Sequence, residues 1–400
     1  MTAPLRPSLG DRLTSPFAIL AIAALLRLAF LIVLGNRTYW ADTLEYEKTA
    51  MQFLLGHGPE GGTPRAPLYP LLMALGFKLG GVANYQAIRI LQLFLSLLLI
   101  HLTGVLAKRA AGPDVQRLTM VAMAVSPTLV FTTGMLYPTV LYSLLLLSVT
   151  LTAWRLVHRP SMVDGALLGA GIALGWLTDQ VFVAPVFAVL LWLGWNVRRA
   201  GAPLARAIVL ALAVAAAVAV PYLRWQQEAY GGKAVFMQKA QYVLHWSRID
   251  SLMASSRQVQ LPPNHVFRPL GAREFIEQES ALLRTQPVAY AHDVAFEFLH
   301  FFAPMPDRVQ TQNRFNRGPV LWLGAAYTAP LLLLALFGAL RGRAAARHRV
   351  LFALVVLATA AFYSLFFSQT RYRIPVEPQI CLLAALGVTR LLPDKKKHTS

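Results

Sequence analysis

The sequence predicts an all-α polytopic membrane protein with about ten transmembrane helices. Three observations carry this reading. Of 400 residues, 56% are hydrophobic and only 14% charged, where a soluble globular domain is about a quarter charged. The apolar residues come in runs near the ~20 residues that a bilayer-spanning helix needs. The basic residues gather in the short segments between alternate runs. Such a composition excludes intrinsic disorder, which requires few apolar residues. The net charge of +19 suits either a nucleic-acid partner or a positive-inside membrane protein, and the placement of the charges decides between them. The single cysteine, Cys381, rules out a disulfide framework or a Cys-based metal site within one chain. No cleavable signal is expected, because the first apolar run is too long and no small-residue cleavage site follows it.

In chain order, the predicted spans cover 16–34, 86–107, 118–135, 137–156, 163–178, 180–197, 206–222, 319–340, 350–367 and 374–392. The fifth and sixth are separated only by Thr178, Asp179 and Gln180. The stretch from Pro67 to Leu79 is too short to span and reads as an interfacial helix. With the N-terminus in the cytoplasm, the cytoplasmic segments hold 18 of the 37 basic residues and only four of the 18 acidic ones. Every short cytoplasmic loop is then basic, as the positive-inside rule requires. Bases scattered over six short segments do not form a nucleic-acid surface, so no nucleic acid is expected as a partner. The chain divides into an N-terminal transmembrane module (1–222), an outer-face loop domain (223–318), and C-terminal transmembrane helices with a basic cytoplasmic tail (319–400). The first outer loop (35–85) and the loop domain hold most of the acids, aromatics and histidines, so chemistry is expected there.

The first outer loop begins with Asp42-Thr43-Leu44-Glu45-Tyr46 at the head of a helical pattern that Gly56 stops. Asp42, Glu45 and Tyr46 stand at i, i+3 and i+4 and share a face. A carboxylate at the membrane surface suits a general base. Asp-x-x-Glu is equally a helix-capping pattern, and from spacing alone capping is the stronger reading; the two roles are compatible. Next, Pro64 and Pro67 stiffen the backbone around Arg65, as Pro70 does for Tyr69. That turn either aims Arg65 at an anion or lets it snorkel beside an interfacial helix.

Arg371-Tyr372-Arg373-Ile374-Pro375 precedes the last span on the outer face. Two guanidiniums flanking an aromatic suit a lipid phosphate or ordinary interfacial anchoring. Arg224, at the exit of the seventh span, offers the same two readings. Asp179, between two closely linked spans, reads as a structural carboxylate, and Arg27, mid-span, requires a partner for its charge. His292, Asp293, Glu297 and His300 lack the i, i+4 histidine pair of a helix-borne zinc site. Gly165/Gly169 and Gly171/Gly175 read as helix-packing pairs.

Taken together, these motifs resemble the GT-C class of integral-membrane glycosyltransferases, in the branch with protein O-mannosyltransferases and lipid A aminoarabinose transferases. The resemblance rests on Arg27 in the first span, the Ala41-to-Tyr46 stretch, Arg65 to Leu75, Pro221 to Tyr230 and Arg371 to Pro378. It runs in order along the chain, although each motif alone is weak. It implies a GT-C fold and a polyprenyl-phosphate-linked sugar donor, with Asp42 in the place of the family's catalytic aspartate. Glu45, Tyr46, Arg65, Tyr69, Arg224, Arg371, Tyr372 and Arg373 are the implied substrate-binding residues. The acceptor would be a hydroxyl on a lipid, glycan or protein, reached by inverting displacement, with membrane lipids as the surrounding partners. No cofactor beyond the lipid-linked donor and no metal are expected. The sequence departs from the family pattern in having Thr43 after Asp42, and Trp225 and Gln226 after Arg224. Its loop domain is small, which favours a lipid or glycan acceptor. The alternatives are a transporter or lipid flippase, or a non-catalytic envelope-assembly scaffold of the same fold. The Ala/Leu/Arg-rich composition points to a bacterial inner membrane, with both termini cytoplasmic and the active site periplasmic or extracellular.

Overall fold

A computed structural model describes residues 15–38, 42–57, 65–229, 241, 244–245, 248, 258–259, 270–307 and 318–392. The other positions named above, among them Ala41, Pro64 and Tyr230, lie outside the described residues. So does a large part of the 223–318 loop domain. Among the described residues all regular structure is helical.

The first helix, α1 (Pro16–Leu34), is apolar all round. It buries Ile19, Ala23, Arg27, Leu31 and Leu34 and exposes Phe17, Ile32 and Val33, as a lipid-facing span does. Two short helices follow, α2 (Asp42–Leu54) and α3 (Leu68–Gly80). They pack together on a small apolar core of Tyr46, Ala50, Tyr69, Met73, Phe77, Ile88 and Leu136. That core mounts the α2–α3 pair on one end of the bundle. The α3 helix is the interfacial helix expected from Pro67 to Leu79.

The long helix α4 (Tyr85–Ala111) then crosses the bundle. The predicted third span is instead a bent pair, α5 (Pro113–Val125) and α6 (Pro127–Gly134), meeting at 54°. Pro127 lacks the N–H that would continue the α5 ladder, so the last carbonyls of α5 lose helical partners. Arg27 supplies replacements. It donates to Met123 O and Ala124 O at 3.2 Å each and to Ser96 Oγ at 2.9 Å. The charge mid-span in α1 therefore finds its partners in the backbone at a helix break.

Next come α7 (Thr139–His158) and α8 (Met162–Thr178), then a 3₁₀ turn (Gln180–Phe182) and the 47-residue helix α9 (Val183–Ala229). A straight helix of that length would be about 70 Å long, more than twice a hydrocarbon core of about 30 Å. It is broken at Gly201, whose φ of 70° is non-helical and suits glycine. Packing shows the reversal. Gly165 lies against Ala207 and Gly169 against Ala211, so the second half of α9 runs parallel to α8. The first half turns back at Asp179, where Gly175 touches Phe182. These are the sixth and seventh predicted spans, and the glycines act in packing as expected.

On the far side of the sequence lie α10 (Ala272–Thr285) and α11 (Pro287–Phe301), then the spans α12 (Gly318–Arg341) and α13 (Ala346–Ser364). A second 3₁₀ turn (Thr370–Val376) leads into α14 (Glu377–Leu391). Helices α12 and α14 meet backbone to backbone: a Cβ on Gly338 would collide with Leu383 O, so only glycine fits there.

Each of the ten predicted ranges is helical. Seven helices are long and apolar enough to cross a membrane, or eight with the bent pair taken as one. The count is below ten because α9 merges two ranges and α8, at 17 residues, is short. The loop bases and the α2–α3 pair occupy opposite ends. Lys108, Arg109, Arg155 and Arg341 close the helices that begin or pass near the α2–α3 end. At the basic end, Trp192 Nε1 donates to Arg347 O at 2.9 Å, and Arg343 donates to Leu392 O at 3.0 Å.

Candidate active site

The α2–α3 end carries a cluster of opposite charges over an aromatic floor. Asp42 is the first residue of α2, and its side chain is 37% exposed. Arg65 reaches its Oδ1 at 3.7 Å and Arg371 reaches its Oδ2 at 3.9 Å. The Tyr137 hydroxyl donates a hydrogen bond to Oδ2. One turn along α2, Glu45 accepts from Arg65, with Nε at 2.6 Å and a terminal nitrogen at 2.5 Å. The shared face predicted for Asp42, Glu45 and Tyr46 is thus realised, and Arg65 is what the two carboxylates share.

Below the charges lie aromatic rings. The Arg65 guanidinium sits 5.0 Å from the Tyr46 ring centre. Tyr46 meets Tyr69 and Tyr137 edge-on at 5.3 and 5.7 Å. Arg371 lies 5.3 Å from the Tyr372 ring centre and 5.9 Å from that of Tyr137, within cation–π range. Tyr372 in turn stacks on Tyr363 at 4.4 Å. Burial holds the Tyr137 hydroxyl above the usual phenol range; Arg371 pulls the other way and the Asp42 charge adds to burial. Burial does the same to Tyr46. Both remain proton donors at ordinary pH.

Arg371 and Arg373 part company. In a 3₁₀ turn each residue advances the side-chain direction by about a third of a circle, so residues two apart face different ways. Arg371 points to Asp42, whereas Arg373 donates to Phe301 O at 2.9 Å and Ala303 O at 2.8 Å, behind the site. The same segment braces the turn elsewhere. Glu297 accepts from Ser368 N at 2.5 Å, and Asp307 from Thr370 N at 2.6 Å and from His300 Nε2 at 2.8 Å. Asp293 accepts from Gln258 N and Val259 N. The carboxylates and His300 considered for a metal thus serve as backbone and loop ties. Among the described residues no group of three or more His, Cys, Asp or Glu is placed to hold a metal.

Two other predicted residues lie apart from the cluster. Tyr69 is fully buried, with its hydroxyl 2.8 Å from Gln92 Oε1, so it supports the site from below and does not line it. Arg224 is exposed on α9, with no described ion pair to Asp42. Asp179 accepts from Val181 N at 3.1 Å and so caps the turn after α8, the structural role expected of it; its charge also reaches Tyr46.

Sequence reasoning missed Tyr137, Gln92 and Arg89. Arg89 is fully buried and donates to Gly134 O at 2.9 Å and to Gly35 O and Arg37 O at 2.5 Å. It thereby pins the start of the first outer loop to the end of α6. The available signal was the placement of polar residues at the α2–α3 ends of α4 and α7, with Tyr137 before Pro138 at a span boundary.

By fold, this integral membrane protein is similar to the GT-C class of membrane proteins. A family model described as dolichyl-phosphate-mannose-protein mannosyltransferase matches residues 64–225. Among solved structures, the chain is similar to ArnT from Cupriavidus metallidurans bound to undecaprenyl phosphate. The TM-score is 0.61 at 15% identity, covering 94% of this chain and 60% of that one. It is also similar to the archaeal oligosaccharyltransferase AglB from Archaeoglobus fulgidus in complex with an inhibitory peptide and a dolichol-phosphate. That TM-score is 0.57 at 14% identity, covering 94% of this chain and 50% of that one. The chain thus spans 60% or less of the length of these two neighbours. No curated protein matches the sequence significantly.

Proposed function

We propose that the protein transfers a sugar from a polyprenyl-phosphate carrier to a hydroxyl acceptor at the outer face of the membrane, with Asp42 as general base. The observation that carries this reading is a half-exposed Asp42 carboxylate between two guanidiniums, Arg65 and Arg371. Asp42 takes the proton of the acceptor hydroxyl as its oxygen bonds to the anomeric carbon. The bond from that carbon to the phosphate oxygen breaks, and its electron pair leaves on the polyprenyl phosphate. Single displacement inverts the anomeric centre. Arg371 and Arg65 stabilise the charge growing on the leaving phosphate. Among the described residues Arg371 Nε is buried without a hydrogen-bond partner, a donor that a phosphate oxygen would satisfy. Guanidiniums supply the countercharge in this reading, so it calls for no metal and no cofactor beyond the donor. The similarity in fold to ArnT bound to undecaprenyl phosphate and to AglB in complex with a dolichol-phosphate supports a polyprenyl carrier.

The gathering of loop bases at the end opposite Asp42 supports a cytoplasmic basic end and an outer-face site, in a bacterial inner membrane. The first outer loop (35–85) carries the base and the Arg65 turn, and the C-terminal module supplies Arg371. The purified protein should be incubated with radiolabelled polyprenyl-phosphate sugars and an envelope extract. Label should pass to a lipid or glycan fraction with wild-type protein. It should fall about 10²–10⁴-fold with Asp42→Asn, the usual worth of a general base. Equal transfer by both proteins would refute the role of Asp42.

A further inference from the structure

We infer that Tyr137 is a positioning residue for the transfer step: through its O–H···Oδ2 hydrogen bond it sets the orientation and basicity of the Asp42 carboxylate. The inference rests on the transferase reading above.

The structure treats Tyr137 as a placed group. It lies in the short connection between α6 and α7, and its hydroxyl donates to Asp42 Oδ2. A charge-assisted hydrogen bond of this kind is about twice as strong as a neutral one. The ring is held by its neighbours and packs against the α2–α3 core. Tyr46 packs against it edge-on at 5.7 Å, Arg371 lies 5.9 Å from its centre, and Leu136 beside it is buried in the α2–α3 core. The backbone that carries it is pinned as well. Gln92 Nε2 donates to Thr133 O at 2.9 Å and to Met135 O at 2.6 Å, and Gln92 Oε1 accepts from the Tyr69 hydroxyl at 2.8 Å. A buried chain thus runs from Tyr69 through Gln92 and the 133–135 backbone to Tyr137 and Asp42. This gives the Arg65-to-Leu75 motif a second use: Arg65 faces the carboxylate directly, whereas Tyr69 acts two steps behind it.

The chemical consequence is specific. A donor on Oδ2 fixes the rotation of the carboxylate plane and stabilises its ionised form. When Asp42 takes the acceptor proton, the carboxyl group stays in register with the attacking oxygen. Tyr137 itself touches neither sugar nor phosphate in this scheme and remains protonated throughout, so no proton leaves it.

Tyr137→Phe removes only the donor. The acid limb of the kcat/KM profile should move up by about 1 pH unit, the worth of one such bond. The plateau kcat should fall about tenfold, with donor KM changed less than about twofold. Replacing Tyr137 by 3-fluorotyrosine keeps the ring and makes the phenol a stronger donor, so the limb should move the opposite way. Opposite shifts from the two variants are not produced by a merely structural role. If Tyr137→Phe does not fold, the fluorinated protein decides alone. Transfer by the unmodified protein with unmoved limbs in the variants overturns this inference and leaves the transferase reading standing. Absence of transfer by the unmodified protein from every donor overturns both.

Discussion

The interior of the bundle and its mouth use arginine in different ways. Arg27 and Arg89 are both fully buried, and both spend their donors on backbone carbonyls freed at helix ends and breaks. Arg65 and Arg371 face carboxylates and aromatic rings at the mouth, and Arg371 Nε has no hydrogen-bond partner among the described residues. An arginine in a membrane protein is therefore not in itself a phosphate site. What separates the two kinds is the partner of the guanidinium fork: backbone carbonyls inside the bundle, carboxylates and rings at its mouth.

The largest expected effect inside the bundle comes from Arg27→Met. It keeps the bulk and leaves the Met123 and Ala124 carbonyls unpaired in the apolar interior. Loss of about 3 kcal/mol of stability is expected, visible as early unfolding in detergent, with transfer per folded molecule retained. A loss of donor affinity instead would move Arg27 into the site.

A smaller effect separates the two arginines of the last motif. Arg371→Lys keeps the charge but not the planar fork, and should weaken donor binding about tenfold. Arg373→Lys should leave donor affinity intact when measured on folded protein and should loosen the joint between α11 and the 370–376 turn. Equal losses of donor affinity in both variants would erase the distinction drawn from their directions.

The smallest effect is on pH. The hydrogen bond to Asp307 raises His300 above its ordinary 6.5. Burial works against the Asp307 charge, but bonds from His300 and Thr370 outweigh it and hold Asp307 below its ordinary 3.8. The His300 contribution is therefore fully present below 6.5 and is lost as pH rises through its raised native value. The Asp307 contribution is present above 3.8 and is lost as pH falls through its lowered native value. The pair is partly exposed, so about 1 kcal/mol or less is expected, a fall of about 1–2 °C in Tm on the alkaline side. His300→Gln should flatten that decline; an unchanged decline would assign it elsewhere.

Much of this was legible in the sequence because it is local. Apolar runs mark the helical ranges, and i, i+3, i+4 spacing puts Asp42, Glu45 and Tyr46 on one face. What spacing cannot carry is the partner across the fold. Tyr137 lies 95 residues from Asp42, and nothing near it in sequence announces a carboxylate. Arg373 shared a motif with Arg371, but the 3₁₀ turn rotates it away toward Phe301. Tyr69 matched a family stretch, yet burial in the α2–α3 core gives it Gln92 as its partner. Arg27 needed a partner that the sequence did not name, and the break at Pro127 provides it. The merged helix α9 shows the same limit, since its reversal depends on the one glycine whose φ is positive within it.

The central claim is that Asp42 removes the acceptor proton at a site where arginines hold the phosphate. The most direct measurement is single-turnover transfer by Asp42→Asn alongside its affinity for the same polyprenyl-phosphate sugar. The account predicts donor affinity within a few-fold of wild type and a chemical step slowed about 10²–10⁴-fold. A variant that binds the donor and transfers the sugar at the wild-type rate would contradict it.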